Sequence, residues 1–197
     1  MVGYDEVLGV VLCGGRARRM GGEVKPLLWV GGETILSRIL VRLGSLDVVL
    51  NVNGDASRFE RYEMEVLPDV VGGRVGPLAG VLTAMERAGG DYGYVLSVPG
   101  DAPFLPVDLL ERLGDAMVEG VDIVAASSGG RVHPVVALWR VGLAGDLRTA
   151  LVDEGVRKIM DFTERFAVEV VPWEVGVVDP FMNLNTYADL ELAMQVS

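Results

Sequence analysis

The densest concentration of residues able to do chemistry is Leu12-Cys13-Gly14-Gly15-Arg16-Ala17-Arg18-Arg19-Met20-Gly21-Gly22, followed by Lys25-Pro26-Leu27. Glycines let backbone N–H groups converge on phosphate oxygens without Cβ obstruction, while arginine forks and an ammonium supply compensating charge. By composition this is a phosphate loop, with a solvated Gly/Arg turn as the alternative. It carries neither the Gly-x-Gly-x-x-Gly of a dinucleotide site nor the Gly-Lys-Ser/Thr ending of a P-loop. Lysine usage sharpens the picture: the chain has 15 arginines and two lysines, Lys25 and Lys158. A compact ammonium and a wide guanidinium are not interchangeable against one phosphate oxygen in a tight site. With two lysines, chance is the rival explanation.

A second constellation is Ser97-Val98-Pro99-Gly100-Asp101-Ala102-Pro103-Phe104-Leu105-Pro106, which ends an apolar run with a carboxylate before a proline-stiffened turn. Magnesium is commonly held by one or two carboxylates plus substrate phosphates, and Asp101 suits that role; capping the turn is its structural alternative. The third is Asp179-Pro180-Phe181-Met182-Asn183-Leu184-Asn185-Thr186. Asn183 and Asn185 share a face if this stretch is extended, and Thr186 is an N-cap candidate for the helix that follows. Smaller pieces are Asn51-Val52-Asn53, Asp69 and Gly76-Pro77-Leu78-Ala79-Gly80. The single Cys13 excludes an intramolecular disulfide and a thiolate zinc cage, and the single His133, read as structural, removes most histidine metal sites and triads. Oxygen ligands and backbone amides are left to do the work.

These pieces need a scaffold. Apolar, β-rich runs recur at Val7–Leu12, Asp47–Val52, Tyr94–Val98, Val121–Ala125, Val135–Trp139 and Phe166–Val171, with a weaker one at Glu65–Leu67. Helical patterns lie at Thr34–Leu43, Ser57–Tyr62, Leu78–Ala88, Val107–Val118, Leu143–Val152, Val156–Phe162 and Thr186–Val196, with Thr34 and Thr186 as caps. Alternation of near-continuous apolar strands with helices predicts a three-layer α/β/α fold on a mostly parallel sheet of about seven strands. No repeat or low-complexity tract divides residues 1–197, so one domain is expected, with ligands beyond the carboxyl ends of the strands. A formal charge of −11 disfavours duplex nucleic acid and anionic membranes. Positive charge is kept in the first half: residues 1–98 carry 10 basic and 12 acidic groups, residues 99–197 carry 7 and 16. No apolar run reaches the roughly 18 residues of a membrane helix, and Asp5 and Glu6 stand where a signal peptide would be basic. The expectation is a cytoplasmic protein with no nucleic-acid or membrane partner.

Taken together and in order, the motifs resemble the molybdenum cofactor guanylyltransferase family, nucleotidyltransferases with a Rossmann-like sheet of the nucleotide-diphospho-sugar transferase type. The resemblance runs over nearly the whole chain, through the opening loop, Gly76–Gly80, Asp101–Leu105, His133-Pro134 and Asn183–Thr186. It implies that Leu12, Cys13, Gly14, Gly15 and Lys25 contact the nucleotide, that Asn53 and Asp69 belong to its pocket, and that Asp101 binds Mg2+. Asn183 and Asn185 would then lie near the acceptor, molybdopterin. The implied reaction is attack by the terminal phosphate of molybdopterin on the α-phosphorus of GTP, expelling pyrophosphate, with Arg19, Lys25 and Asp101 as the catalytic groups and carrier or acceptor proteins for the finished cofactor as further partners. An already ionised phosphate needs no strong base, so catalysis reduces to positioning and charge neutralisation. The chain departs from the family at Cys13, usually alanine, at Val24, usually aspartate, with Glu23 as a possible substitute, and at Gly100, often cysteine. A cytidylyltransferase or sugar-phosphate nucleotidyltransferase would share the loop and Asp101, and a non-catalytic nucleotide-binding module would share the fold; a nicotinamide enzyme lacks its glycine fingerprint. Gly14, where related cytidylyltransferases more often carry alanine, leaves room for a purine and favours GTP.

Overall fold

The computed structural model describes residues 2–14, 24–73 and 75–196. The run Val7–Leu12 (β1) is buried at every position, as a strand covered on both faces must be. The remaining strands are β2 (Trp29–Val30), β3 (Glu33–Thr34), β4 (Asp47–Asn51), β5 (Val66–Leu67), β6 (Tyr94–Pro99), β7 (Ile123–Ser128), β8 (Arg131–Arg140) and β9 (Val168–Trp173). Seven of them form one sheet in the order β5-β4-β1-β6-β8-β7-β9, in which β8 alone runs antiparallel to its neighbours. The helices are α1 (Ile35–Leu43), α2 (Pro77–Ala88), α3 (Leu109–Ala116), α4 (Ala144–Val152), α5 (Ile159–Thr163) and α6 (Tyr187–Gln195).

Strand alternation divides the core in two. Val7, Val11, Leu96, Val98 and Val124 face α1, α3 and α6, whereas Leu8, Val10, Val95, Ile123 and Trp139 face α2, α4 and α5. The three-layer expectation is borne out. Thr34 caps α1, its hydroxyl accepting from the Ser37 backbone N–H at 3.1 Å. Among the described residues, no helix is long and apolar enough to cross a membrane.

Several boundaries differ from the sequence reading. The β2–β3 hairpin is absent from the sequence pattern, because its strands are too short to show a period; it turns at Gly31 and Gly32, whose φ values of 57° and 90° suit glycine. Ser57–Tyr62 belongs to a 3-10 turn, Ala56–Tyr62, rather than an α-helix. The helix expected at Val156 starts at Ile159, and the strands expected at Val121 and Phe166 start at Ile123 and Val168. The strand expected over Val135–Trp139 extends back to Arg131 through Pro134, because the pairing slips: Ala125 faces Ala137, but Ala126 faces His133. Pro134–Val136 therefore have no partner on β7. A bulge of this kind accommodates a proline, which donates no ladder hydrogen bond.

Candidate active site

The carboxyl ends of β4, β1 and β6 lie side by side, with Leu12 in register with Asn51 on one flank and Pro99 on the other. The Cys13 N–H donates to the Asn51 carbonyl at 2.9 Å and the Gly100 N–H to the Leu12 carbonyl at 3.0 Å, so three chain segments leave the sheet together. β4 lies on one side of β1 and β6 on the other, the kind of switch point at which open α/β sheets bind ligands. Gly100 is required by close approach: a Cβ there would sit 2.9 Å from Pro26 Cγ and 3.0 Å from the Leu12 oxygen. Any side chain at this position would crowd both Pro26 and the Leu12–Cys13 backbone.

This approach brings Lys25 to Asp101. The ammonium donates to Asp101 Oδ2 at 2.9 Å, and the two side chains are 16% and 19% exposed. It also donates to Asn185 Oδ1. The Leu184 N–H donates to the Asp101 carbonyl at 2.8 Å, which stitches the third motif to the second. Asn183 and Asn185 are exposed on either side of buried Leu184, the shared face expected of an extended stretch. Thr186 is also an N-cap. Its hydroxyl accepts from the Asp189 N–H at 3.2 Å, and Asp189 Oδ2 accepts from the N–H groups of Asn185 and Thr186, both at 2.8 Å. Burial alone would raise the Asp189 carboxyl; those N–H groups, the Thr186 side chain and the Lys25 charge outweigh it and hold the carboxyl below its usual range.

A second polar cluster follows β4. Asn53 Nδ2 donates to Asp69 Oδ2 at 2.7 Å, and the Asp69 N–H donates back to Asn53 Oδ1 at 2.8 Å. Asn51, buried and given no role of its own in the Asn51-Val52-Asn53 piece, donates from Nδ2 to Asp69 Oδ1 at 2.9 Å and to the Leu67 carbonyl at 3.2 Å. A Cβ on Gly80 of α2 would overlap Asn51 Oδ1 and Leu12 Cδ2, so that glycine lets the helix lie against this cluster. Thr83, also on α2, accepts from the Val70 N–H at 3.0 Å and thereby ties the segment after Asp69 to the helix.

Among the described residues, a Cβ on Gly14 would meet nothing within 4 Å. Cys13 is buried, which pushes its thiol up to about 12, so it is neither thiolate nor nucleophile. Gly15 and Arg19, with Arg16, Arg18 and Glu23, lie outside the described residues. Lys158 is exposed at the N-cap position just before α5. The described residues hold no cluster of three His, Cys, Asp or Glu side chains fit for an all-protein metal cage. A magnesium ion held by one carboxylate and substrate phosphates needs no such cage, and Asp101, a hard oxygen donor at the strand end, fits that mode.

The profile of the MobA-like NTP transferase domain matches residues 9–168. The chain belongs to this family. It is 45% identical over 197 residues to a molybdenum cofactor guanylyltransferase of Bradyrhizobium sp. (strain ORS 278), covering 97% of this chain and 93% of the relative. A second relative of that name, from Rhodopseudomonas palustris (strain HaA2), is 46% identical over 92% of this chain and 87% of its own. Among solved structures, molybdopterin-guanine dinucleotide biosynthesis protein A from Archaeoglobus fulgidus superposes with a TM-score of 0.77 at 25% identity, over 96% of this chain and 97% of that one. A 4-diphosphocytidyl-2C-methyl-D-erythritol synthase from Anaerococcus prevotii shares the fold, with a TM-score of 0.74 at 16% identity and coverage of 98% and 96%. The family read from the ordered motifs is thus the family to which the chain belongs.

Proposed function

We propose that this protein transfers GMP from GTP to molybdopterin and releases pyrophosphate, the step that builds a molybdenum guanine dinucleotide cofactor. The observation that carries this reading is the meeting of Lys25, Asp101 and Asn185 beyond β1 and β6, in a chain aligned over nearly its full length with guanylyltransferases. Asn53 and Asp69 line the nucleotide side and Asn183 and Asn185 the acceptor side. The Lys25 ammonium, held beside Asp101, would supply positive charge to the phosphates of the arriving triphosphate. Asp101 would hold Mg2+ together with the phosphates; when bound, that ion offsets charge on the α-phosphoryl and the departing pyrophosphate. Arg19 would add the charge of a guanidinium to the same phosphates. Asn183 and Asn185 donate amide N–H groups to the acceptor phosphate, whose oxygen attacks without a protein base. The setting is cytoplasmic, with delivery to carrier or acceptor proteins.

The test is to incubate the purified protein with Mg2+, molybdopterin and each labelled nucleoside triphosphate in turn, following pyrophosphate release. GTP should be used in preference to CTP and ATP. CTP equal to or better than GTP would replace the guanylyl assignment with a cytidylyl one, and triphosphate binding with no turnover would leave a binding module. Omitting magnesium should abolish transfer; undiminished turnover in chelator would remove Asp101 as a metal ligand.

A further inference from the structure

His133, Ser128 and Asp179 come from the start of β8, the end of β7 and the segment before α6, and they meet in one hydrogen-bonded cluster. Ser128 Oγ lies 2.8 and 2.9 Å from the two Asp179 carboxylate oxygens and 2.7 Å from His133 Nε2. A hydroxyl has one proton. Given to the carboxylate, it leaves Ser128 to accept from His133, which fixes the imidazole as the Nε2–H form. This is the reverse of a nucleophilic triad, since the serine proton is tied to the acid and no base is placed to take it. The cluster therefore holds structure in place. The β8 bulge serves it, because the slipped register that leaves Pro134–Val136 unpaired on β7 sets His133 opposite Ala126.

What it holds is one end of the stretch 179–186. Asp179 Oδ1 also accepts from the Phe181 N–H at 2.8 Å, and the Phe181 ring is buried against His133, centroids 4.9 Å apart, and edge-on to Trp173 at 5.4 Å. The other end is held at the active site, by Leu184 on Asp101 and Asn185 on Lys25. Asn183 lies between two fixed points. We propose that Ser128, His133 and Asp179 are positioning residues for the acceptor side of the site, a polar clamp that sets where Asn183 and Asn185 meet molybdopterin while leaving the nucleotide side untouched. The proposal rests on the acceptor assignment made above.

Ser128→Ala and Asp179→Ala should each raise the KM for molybdopterin about tenfold or more, the scale of losing a part-buried hydrogen bond to a charged group, with the GTP dissociation constant by calorimetry unchanged. His133→Gln, whose amide can still donate to Ser128, should retain most of the acceptor affinity that His133→Leu loses. In the same variants without substrate, hydrogen exchange should quicken at the amides of Phe181 and Leu184 while those of β1 and β6 keep their protection. Equal losses of GTP and acceptor affinity, an unchanged KM, or His133→Gln as damaging as His133→Leu would overturn the clamp, as would exchange that quickens uniformly. A wild-type protein that ignores molybdopterin would instead remove the acceptor reading, and the exchange data would still decide whether the clamp exists.

Discussion

Lys25 carries the sharpest residue-level expectation. Its ammonium is shared between Asp101 and Asn185, whereas the chain's other lysine, Lys158, is exposed just before α5. Lys25→Ala should lower kcat/KM for transfer by about 10²-fold or more, the scale of losing a preorganised charge contact, while Lys158→Ala should change it little. Equal losses in steady-state assays would show that both lysines serve the site. Gly14→Ala offers a test of base choice, because a Cβ at that position meets none of the described residues within 4 Å and its backbone needs no positive φ. GTP use should drop and CTP use should be spared. A variant that loses both in parallel, in competition assays, would place Gly14 away from the base.

At the scale of elements, α6 and the β7–β8 bulge each connect a stabilising feature to the site. Thr186→Ala removes the cap of α6 and should cost about 1 kcal/mol in urea unfolding. Because Asp189 Oδ2 also accepts from the Asn185 N–H, the same change should weaken acceptor use more than GTP binding; a variant with weakened GTP binding alone would break that connection. His133, set by the bulge, gives stability a pH dependence. Burial, the largest influence, lowers its pKa, Asp179 opposes this, and Arg131 adds to the lowering. A histidine that is harder to protonate folded than unfolded makes stability rise with pH, so its contribution is full above about 6.5 and is lost as pH falls toward the folded value. The urea midpoint should fall between pH 8 and pH 5.5, and His133→Gln should flatten that fall. Asp55 and Asp189, held below their ordinary value of 3.8, lose their contributions only at lower pH and do not confuse the comparison. A wild-type midpoint that does not move would sink the argument.

For the molecule as a whole, a net charge of −11 stores self-repulsion that salt screens. The melting temperature should rise as sodium chloride is increased from low concentration to about 0.3 M, where the Debye length is well below 10 Å. A melting temperature that falls over that range would mean that attractive ion pairs, such as Arg87–Glu65 and Arg148–Glu86, dominate instead. The substrates are themselves anionic, so the general field does not draw them in; on the proposed site that task falls to Lys25 and to the positive charge of Arg16, Arg18 and Arg19.

The sequence by itself determined the layered α/β/α class, the Thr34 and Thr186 caps and the order of the motifs, because periodicity, capping and composition are local properties of a chain. It also marked Lys25, Asp101 and Asn185 as separate suspects. Only the tertiary structure joined them, since contacts spanning 76 and 160 residues depend on strand order and on Gly100 admitting Pro26. Asn51 has no role legible in the sequence, because an asparagine at a strand end carries no local signal of what its amide will face. His133 read as structural from its isolation in the sequence; the β8 bulge, a matter of register and not of pattern, decided that it would meet Ser128 and Asp179.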